Sequence, residues 1–112
     1  MPVIDEATFE ELKQISGAEF INELIDTFLE DAPKIIEEMK SALNAGNADA
    51  FRRAAHSLKS NAATFGASQL AALAKELETL GKENKLHETG DRLGALEQVY
   101  ASVRAELEGL KS

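Results

Sequence analysis

Apolar side chains recur at alternating three- and four-residue intervals along almost the whole chain, and this spacing most constrains the fold. Such spacing places apolar residues on one face of an α-helix. Proline, which interrupts helices, occurs only at Pro2 and Pro33, while the good helix formers Ala, Leu, Glu and Lys are abundant. The sequence therefore predicts an all-α protein.

Five helices are predicted, at about residues 5–15, 18–44, 48–65, 68–83 and 88–110. Because the apolar spacing of the second continues on both sides of Pro33, one long helix kinked near Pro33 is expected instead of two. The predicted apolar stripes are, in chain order, Phe9, Leu12 and Ile15; Phe20, Ile21, Leu24, Ile25, Phe28, Leu29, Ala32, Ile35, Ile36, Met39 and Leu43; Phe51, Ala55, Leu58, Ala62 and Phe65; Leu70, Leu73, Leu77 and Leu80; and Leu93, Leu96, Tyr100, Val103, Leu107 and Leu110.

Residues that commonly cap helices mark most of the predicted boundaries. The N-caps predicted for the first four helices are Asp5, Ser16 with Glu19 completing a capping box, Asn47 and Ser68. Gly46, in the left-handed conformation, is predicted to close the second helix, and Gly66 to end the third.

Four long amphipathic helices joined by short connections cannot each bury an apolar stripe alone. The predicted architecture is therefore an antiparallel up-down-up-down four-helix bundle, with the short first helix capping one end. No internal repeat or linker divides the sequence, so residues 1–112 are predicted to form one domain. Because the stripes are used within the bundle, we expect a monomer.

The charge of the chain excludes several classes of function. A net charge of -8 repels nucleic acid and anionic membranes, and no apolar run approaches the roughly 20 residues that span a bilayer. The chain has no cysteine for a disulfide or a thiolate metal site. Residues 1–5 lack the basic start and apolar stretch of a secretory signal. We therefore expect a cytoplasmic protein that binds neither nucleic acid nor membrane.

His56 is the residue with the most evident chemical potential. At about 100° per residue it lies about 140° from the centre of the third stripe, so its imidazole should face solvent. Arg52, Lys59 and Ser60 are one helical turn away, and Ala63 is two turns away. Cationic and small side chains around the imidazole favour the binding of an anion. An exposed imidazole is largely neutral at neutral pH, so it can attack phosphorus without a separate base.

The sequence of residues 55–67, AHSLKSNAATFGA, resembles the signature of histidine phosphotransfer (HPt) domains, His-x-Leu-Lys-Gly/Ser followed by small residues and a glycine. The resemblance extends to residues 28–33 and 70–78. It implies a four-helix bundle in which His56 accepts and donates a phosphoryl group between receiver-domain aspartates in a multistep phosphorelay. Many members have glycine where this chain has Ser60, a difference that could narrow partner choice.

The resemblance also implies roles for neighbours of the histidine. Lys59, assisted by Arg52, would stabilise the phosphoryl group by charge-assisted hydrogen bonds. Residues expected to give a partner access are Ser60, Ala63, Gly66 and Phe28, with a plain core position as the competing interpretation of Phe28. The implied partners are response-regulator receiver domains and a sensor histidine kinase, and the receiver supplies Mg²⁺. The chain itself is expected to hold no metal or cofactor and to have no autonomous catalysis.

Other interpretations stay open at this point. A helical interaction module would never carry phosphate, and acid-labile, base-stable phosphate on the chain would exclude it. An enzyme with its own kinase or phosphatase activity lacks the expected Gly-rich phosphate loop. His87, at a polar junction without a second ligand at metal spacing, is interpreted as a solvated surface residue. The sequence does not distinguish a free-standing protein from the HPt domain of a hybrid sensor histidine kinase.

Overall fold

The computed structural model describes residues 3–111 and contains helices but no strands within them, which confirms the all-α fold class. The helices are α1 at Glu6–Ser16, α2 at Ala18–Ala45, α3 at Ala48–Thr64, α4 at Ser68–Lys82 and α5 at Arg92–Leu110, with a short 3-10 helix at Leu86–Glu88. None of these helices is both long and apolar enough to cross a membrane. Met1, Pro2 and Ser112, which the predicted domain includes, lie outside the described residues.

The four long helices form a closed antiparallel bundle, as predicted. α2 packs on α3, α3 on α4, α4 on α5, and α5 on α2, while α1 contacts α2 and α3. Ion pairs establish the relative direction of α2 and α5: Lys40 lies 3.1 Å from Glu97, and Asp26 lies 2.5 Å from Lys111. Because residue numbers rise along one helix as they fall along the other, the two helices run in opposite directions.

The predicted stripes fill the interior of this bundle. Fully buried side chains come from all four long helices: Ile25, Met39, Phe51, Leu58, Leu70, Leu77, Leu96 and Leu107. Three stripe residues were predicted wrongly, because Ile15 is 85%, Phe20 59% and Leu110 40% exposed. Ile15 and Phe20 flank the α1–α2 junction at Gly17, and Leu110 is the last residue of α5.

Several helix ends follow the predicted capping residues. The Asp5 side chain accepts a hydrogen bond from the backbone N–H of Thr8 at 3.1 Å, and Asn47 accepts one from that of Ala50 at 3.1 Å. Gly46 closes α2 in the left-handed conformation, with φ of 69°. These three predictions are confirmed because each depends only on the residues within one turn of a helix end. α2 also runs through Pro33 as one helix, and the expected kink there stays a prediction.

The N-caps predicted at Ser16 and Ser68 are wrong. Ser16 is the last residue of α1, and its hydroxyl donates to the carbonyl of Leu12 at 2.8 Å. Gly17, with φ of 91°, takes the cap position of α2, and Ala67 takes that of α4. Neither cap position provides a side-chain hydrogen bond. Each helix therefore begins after a tight turn that contains a glycine, and no serine hydroxyl caps it. α5 also begins later than predicted, because the 3-10 helix precedes it.

Gly81 allows the end of α4 to approach the start of α3 closely. A Cβ atom on Gly81 would lie 3.0 Å from the carbonyl oxygen of Ala48 and 3.0 Å from the backbone nitrogen of Arg52. Backbone atoms cannot move aside without shifting the whole helix, so any larger residue here would push α3 and α4 apart.

We predict that Gly81→Ala lowers the free energy of unfolding by up to about 2 kcal/mol, because an overpacking cost of about 1–3 kcal/mol outweighs the roughly 0.5–1 kcal/mol that alanine contributes to a helix. Gly94→Ala is the matched control, since a Cβ on this glycine of α5 would meet nothing within 4 Å. It should raise the same free energy by about 0.5–1 kcal/mol. Urea unfolding followed by circular dichroism measures both. Equal stabilisation by the two substitutions would contradict the close approach at Gly81.

Candidate functional site

His56 lies in the middle of α3 with its side chain 54% exposed. Its neighbours Ala55 and Leu58 are fully buried, whereas Ser57 and Ser60 are exposed. α3 therefore turns one face to the core and presents the imidazole to solvent on the other, as expected from the position of His56 outside the apolar stripe.

Glu78 of α4 lies beside the imidazole and connects it to Lys59. Its Oε2 atom is 2.7 Å from Nδ1 of His56, and its Oε1 atom is 2.7 Å from Nζ of Lys59. The side chains of Glu78 and Lys59 are only 18% and 30% exposed, so both charges are partly withdrawn from water. One carboxylate thus holds an imidazole and an ammonium group side by side.

The protonation of Glu78 follows from these contacts. The hydrogen bond from Lys59 lowers the pKa of the Glu78 carboxyl below its usual value, and the contact with His56 lowers it further, while partial burial acts in the opposite direction. Glu78 is therefore ionised at neutral pH.

Glu78 was not identified from the sequence, which predicted an imidazole between two cations. The residue lies in the fourth helix, and only the packing of α4 on α3 brings it to the ring. A signal was available, because an antiparallel helical hairpin pairs residues at similar distances from its turn. His56 and Glu78 lie at similar distances along the chain from Gly66.

Arg52 is one turn from His56, but its guanidinium is engaged elsewhere. It contacts the Asp49 carboxylate at 2.8 Å, and Arg53 contacts the same carboxylate at 3.1 Å. These pairs lie toward the start of α3. Arg52 and Lys59 were both predicted to lie beside the imidazole as cations. The structure places Lys59, and not Arg52, in the cluster with His56 and Glu78.

The open surface beside His56 lies between α2 and α3. A shallow cavity of about 540 Å³ is lined by Asp31, Lys34, Ile35 and Glu38 of α2 and by His56, Ser57, Ser60 and Asn61 of α3. Ser60 and Ala63, both predicted to give a partner access, are exposed. A macromolecular partner can approach the imidazole from this side without displacing a large side chain.

Two of the residues predicted to give access are buried, and those predictions are wrong. Phe28 is only 3% exposed, because its ring packs against Phe65 at 5.1 Å and Tyr100 at 6.1 Å between centroids. Gly66 is also buried, and its carbonyl accepts a hydrogen bond from the backbone N–H of Asp5 at 2.8 Å. Phe28 therefore belongs to the core, and Gly66 anchors the chain just before α1.

His87, the second histidine, has different surroundings. Its side chain is 77% exposed, and Nε2 lies 3.7 Å from its neighbour Glu88 in the 3-10 helix. Within residues 3–111, no group of three or more histidine, aspartate or glutamate side chains is placed to hold a metal ion. His56 is thus the histidine with a lysine, a carboxylate and an open cavity around it.

Comparison with known proteins shows similarity along nearly the whole chain. The family model described as "Hpt domain" matches residues 23–106. Phosphorelay protein LuxU of Vibrio vulnificus is 27% identical over 108 residues, covering 96% of this chain and 94% of that protein. LuxU of Vibrio harveyi is 30% identical over 88 residues, covering 79% of this chain and 77% of that protein. The crystal structure of histidine-containing phosphotransfer protein B (HptB) from Pseudomonas aeruginosa PAO1 matches with a TM-score of 0.92 and 30% identity, covering 98% of this chain and 95% of that chain.

We predict that the ion pair of Lys59 with Glu78 stabilises the fold at neutral pH but not in acid. Because the folded-state pKa of Glu78 is lowered, the contribution is fully present above the usual carboxyl value of 4.5 and is lost as the pH falls through the folded value. Glu78→Gln should reduce the free energy of unfolding by about 1 kcal/mol at pH 7, and this difference should shrink as the pH falls toward about 3. Urea titrations across this range measure it, with Glu76→Gln on the exposed side of α4 as control. A difference independent of pH would contradict the assignment.

Proposed function

This chain belongs to the Hpt domain family, and from that premise we propose that His56 is the residue that carries its phosphoryl group. The chain is a histidine phosphocarrier of a phosphorelay. One observation supports His56 above all: its ring is exposed in the middle of a helix, next to a lysine and an open cavity. His87 has no comparable surroundings.

We propose that Lys59 stabilises the phosphoryl group. Its ammonium has three N–H donors, of which one serves Glu78, so others can bond phosphoryl oxygens without breaking that pair. The Arg52 guanidinium is paired with Asp49 at 2.8 Å, and we assign it a lesser role. Ser60 and Ala63 contribute by being small, since they leave room for another protein to approach the ring.

The partners we propose are response-regulator receiver domains and a sensor histidine kinase. A receiver domain would supply the aspartate and Mg²⁺, and this chain would supply an accessible nucleophile without autonomous catalysis. A monomer in the cytoplasm suits such transient contacts. Both a free-standing carrier and the Hpt domain of a hybrid sensor histidine kinase are compatible with this role.

His56→Gln should abolish acceptance of phosphate from a phosphorylated receiver while leaving the helical circular dichroism unchanged. Glutamine occupies a similar exposed position but offers no ring nitrogen to bind phosphorus. The matched control, His87→Gln, should accept phosphate at the rate of the unmodified chain. The measurement is incubation with a panel of phosphorylated receiver domains, followed by mapping of the labelled residue. Undiminished labelling of His56→Gln would exclude the assignment, and the absence of acid-labile phosphate with every receiver would favour an interaction module.

Lys59→Ala should slow phosphoryl transfer about tenfold, which corresponds to losing one charge-assisted hydrogen bond of about 1.4 kcal/mol in the transition state. It should also shorten the half-life of the phosphohistidine. Rapid-quench kinetics with a phosphorylated receiver measure the transfer rate, and Lys13→Ala in α1 controls for the change in net charge. Unchanged kinetics and half-life in Lys59→Ala would show that this ammonium does not act on the phosphoryl group.

A further inference from the structure

Two lysines of α4 flank the candidate site without taking part in its ion pairs. Lys75 precedes Glu78 by three residues and Lys82 follows it by four, so both lie on the side of α4 that carries Glu78, within about 60° of it. Both residues are exposed, and neither side chain pairs with a carboxylate of residues 3–111. They are about 10 Å apart along the helix axis, one on each side of the contact between Glu78 and His56.

The cations of the adjoining helix are already engaged. Every lysine and arginine of α3 is paired with a carboxylate of this chain. Lys82 lies close to these residues, because a Cβ atom on the preceding Gly81 would be 3.0 Å from Cβ of Arg52. Lys75 and Lys82 are therefore the cations of α3 and α4 whose charge is available to another molecule.

Charge is distributed unevenly around His56. On one side of the imidazole, α2 has seven acidic and two basic residues. On the other side, α3 and α4 together have five basic and three acidic residues, although the net charge of the chain is -8. His56 thus lies where an acidic helix meets a basic pair of helices, and a charged partner is attracted to one side of the ring and repelled from the other.

The receiver domain that we propose as partner would present negative charge at this boundary. Its site contains the aspartate, the phosphoryl group and the carboxylates that hold Mg²⁺, since proteins bind this ion through carboxylates and phosphate oxygens. A phosphoryl group contributes roughly two negative charges, so one Mg²⁺ leaves the whole site acidic. The acidic α2 repels such a surface, whereas the unpaired ammonium groups of α4 attract it.

We propose that Lys75 and Lys82 form a docking pair, which binds the acidic rim of the receiver's phosphorylation site and holds the receiver over α3 and α4. This inference rests on the proposed function and adds the residues that orient the partner. A receiver bound in this way has its phosphoryl group over the exposed ring of His56, while the rest of its surface covers the cavity between α2 and α3. Receivers with a more acidic rim bind more tightly, so the docking pair also selects among receivers.

The docking pair acts on association and not on the transfer step itself. Exposed charges at the rim of an interface mainly change the rate of association, and salt screens them. The receiver concentration that gives half-maximal transfer should therefore depend on the docking pair at low salt. The maximal rate of transfer should be independent of it.

The test is single-turnover transfer from the phosphorylated receiver that labels His56 fastest, measured against receiver concentration. At low salt, Lys75→Glu with Lys82→Glu should raise the half-maximal concentration about tenfold, and the neutral pair Lys75→Gln with Lys82→Gln should raise it about threefold. At about 1 M salt, where charges are screened beyond about 3 Å, both should match the unmodified chain. The control is Lys13→Glu with Lys111→Glu, which changes the net charge equally outside α3 and α4 and should match the unmodified chain throughout.

Several results would overturn the docking role. One is an equal half-maximal concentration in the unmodified chain and in Lys75→Glu with Lys82→Glu at low salt. Another is an equal rise in the control, which would assign the effect to net charge alone. A rise that persists at high salt would exclude an electrostatic contact, and a lower maximal rate at an unchanged half-maximal concentration would exclude docking.

Phosphoramidate, a small phosphoryl donor, distinguishes failure of this proposal from failure of the proposed function. It requires no docking surface, so it should label His56 in Lys75→Glu with Lys82→Glu within about twofold of the rate in the unmodified chain. If it labels His56 while transfer from receivers is insensitive to the docking pair, the docking role fails and His56 remains the carrier. If neither phosphoramidate nor any receiver labels His56, the proposed function fails and the docking role with it. Circular dichroism of each variant establishes that a loss of transfer is not a loss of fold.

Discussion

The packing of α3 against α4 is the contact on which the rest of the structure depends. At one end Gly81 brings α4 against the backbone of α3, and at the other the short turn after Thr64 joins the two helices. Between these ends, Leu58 of α3 and Leu77 of α4 are fully buried in the core. The register of the two helices places Nδ1 of His56 2.7 Å from Glu78. If α4 were shifted along α3 by one helical turn, about 5.4 Å, both helices would stay intact, but the His56 ring would lose its contact with the Glu78 carboxylate.

The electrostatics of the site are close to balanced. α3 contains three cations and one carboxylate, although the chain as a whole has a net charge of -8. Two of those cations, Arg52 and Arg53, contact Asp49, and the third is paired with Glu78. The cluster is therefore not a strong anion site in its unphosphorylated state. This suits a carrier, because a domain that bound the phosphorylated state very tightly would hold the phosphoryl group instead of passing it on.

Local sequence patterns predicted the parts of this structure that depend on one helix at a time. The stripes identified all four long helices, and Asp5, Asn47 and Gly46 were placed correctly because capping involves only adjacent residues. The pattern could not give the position of one helix relative to another. Phe28 was therefore offered as a surface residue although two aromatic rings cover it. Glu78 was missed for the same reason, since its contacts with His56 and Lys59 exist only through the register of α3 and α4.

A carrier that returns what it accepts must not make one direction much harder than the other. Before transfer, Lys59 and Glu78 neutralise each other. On the proposed phosphorylation of His56, the phosphoryl group would add roughly two negative charges beside this pair. In its proposed role, Lys59 would share its N–H donors between Glu78 and the phosphoryl oxygens. A lysine shared in this way would bind the phosphoryl group only moderately, so the direction of transfer would depend on the partner that is bound.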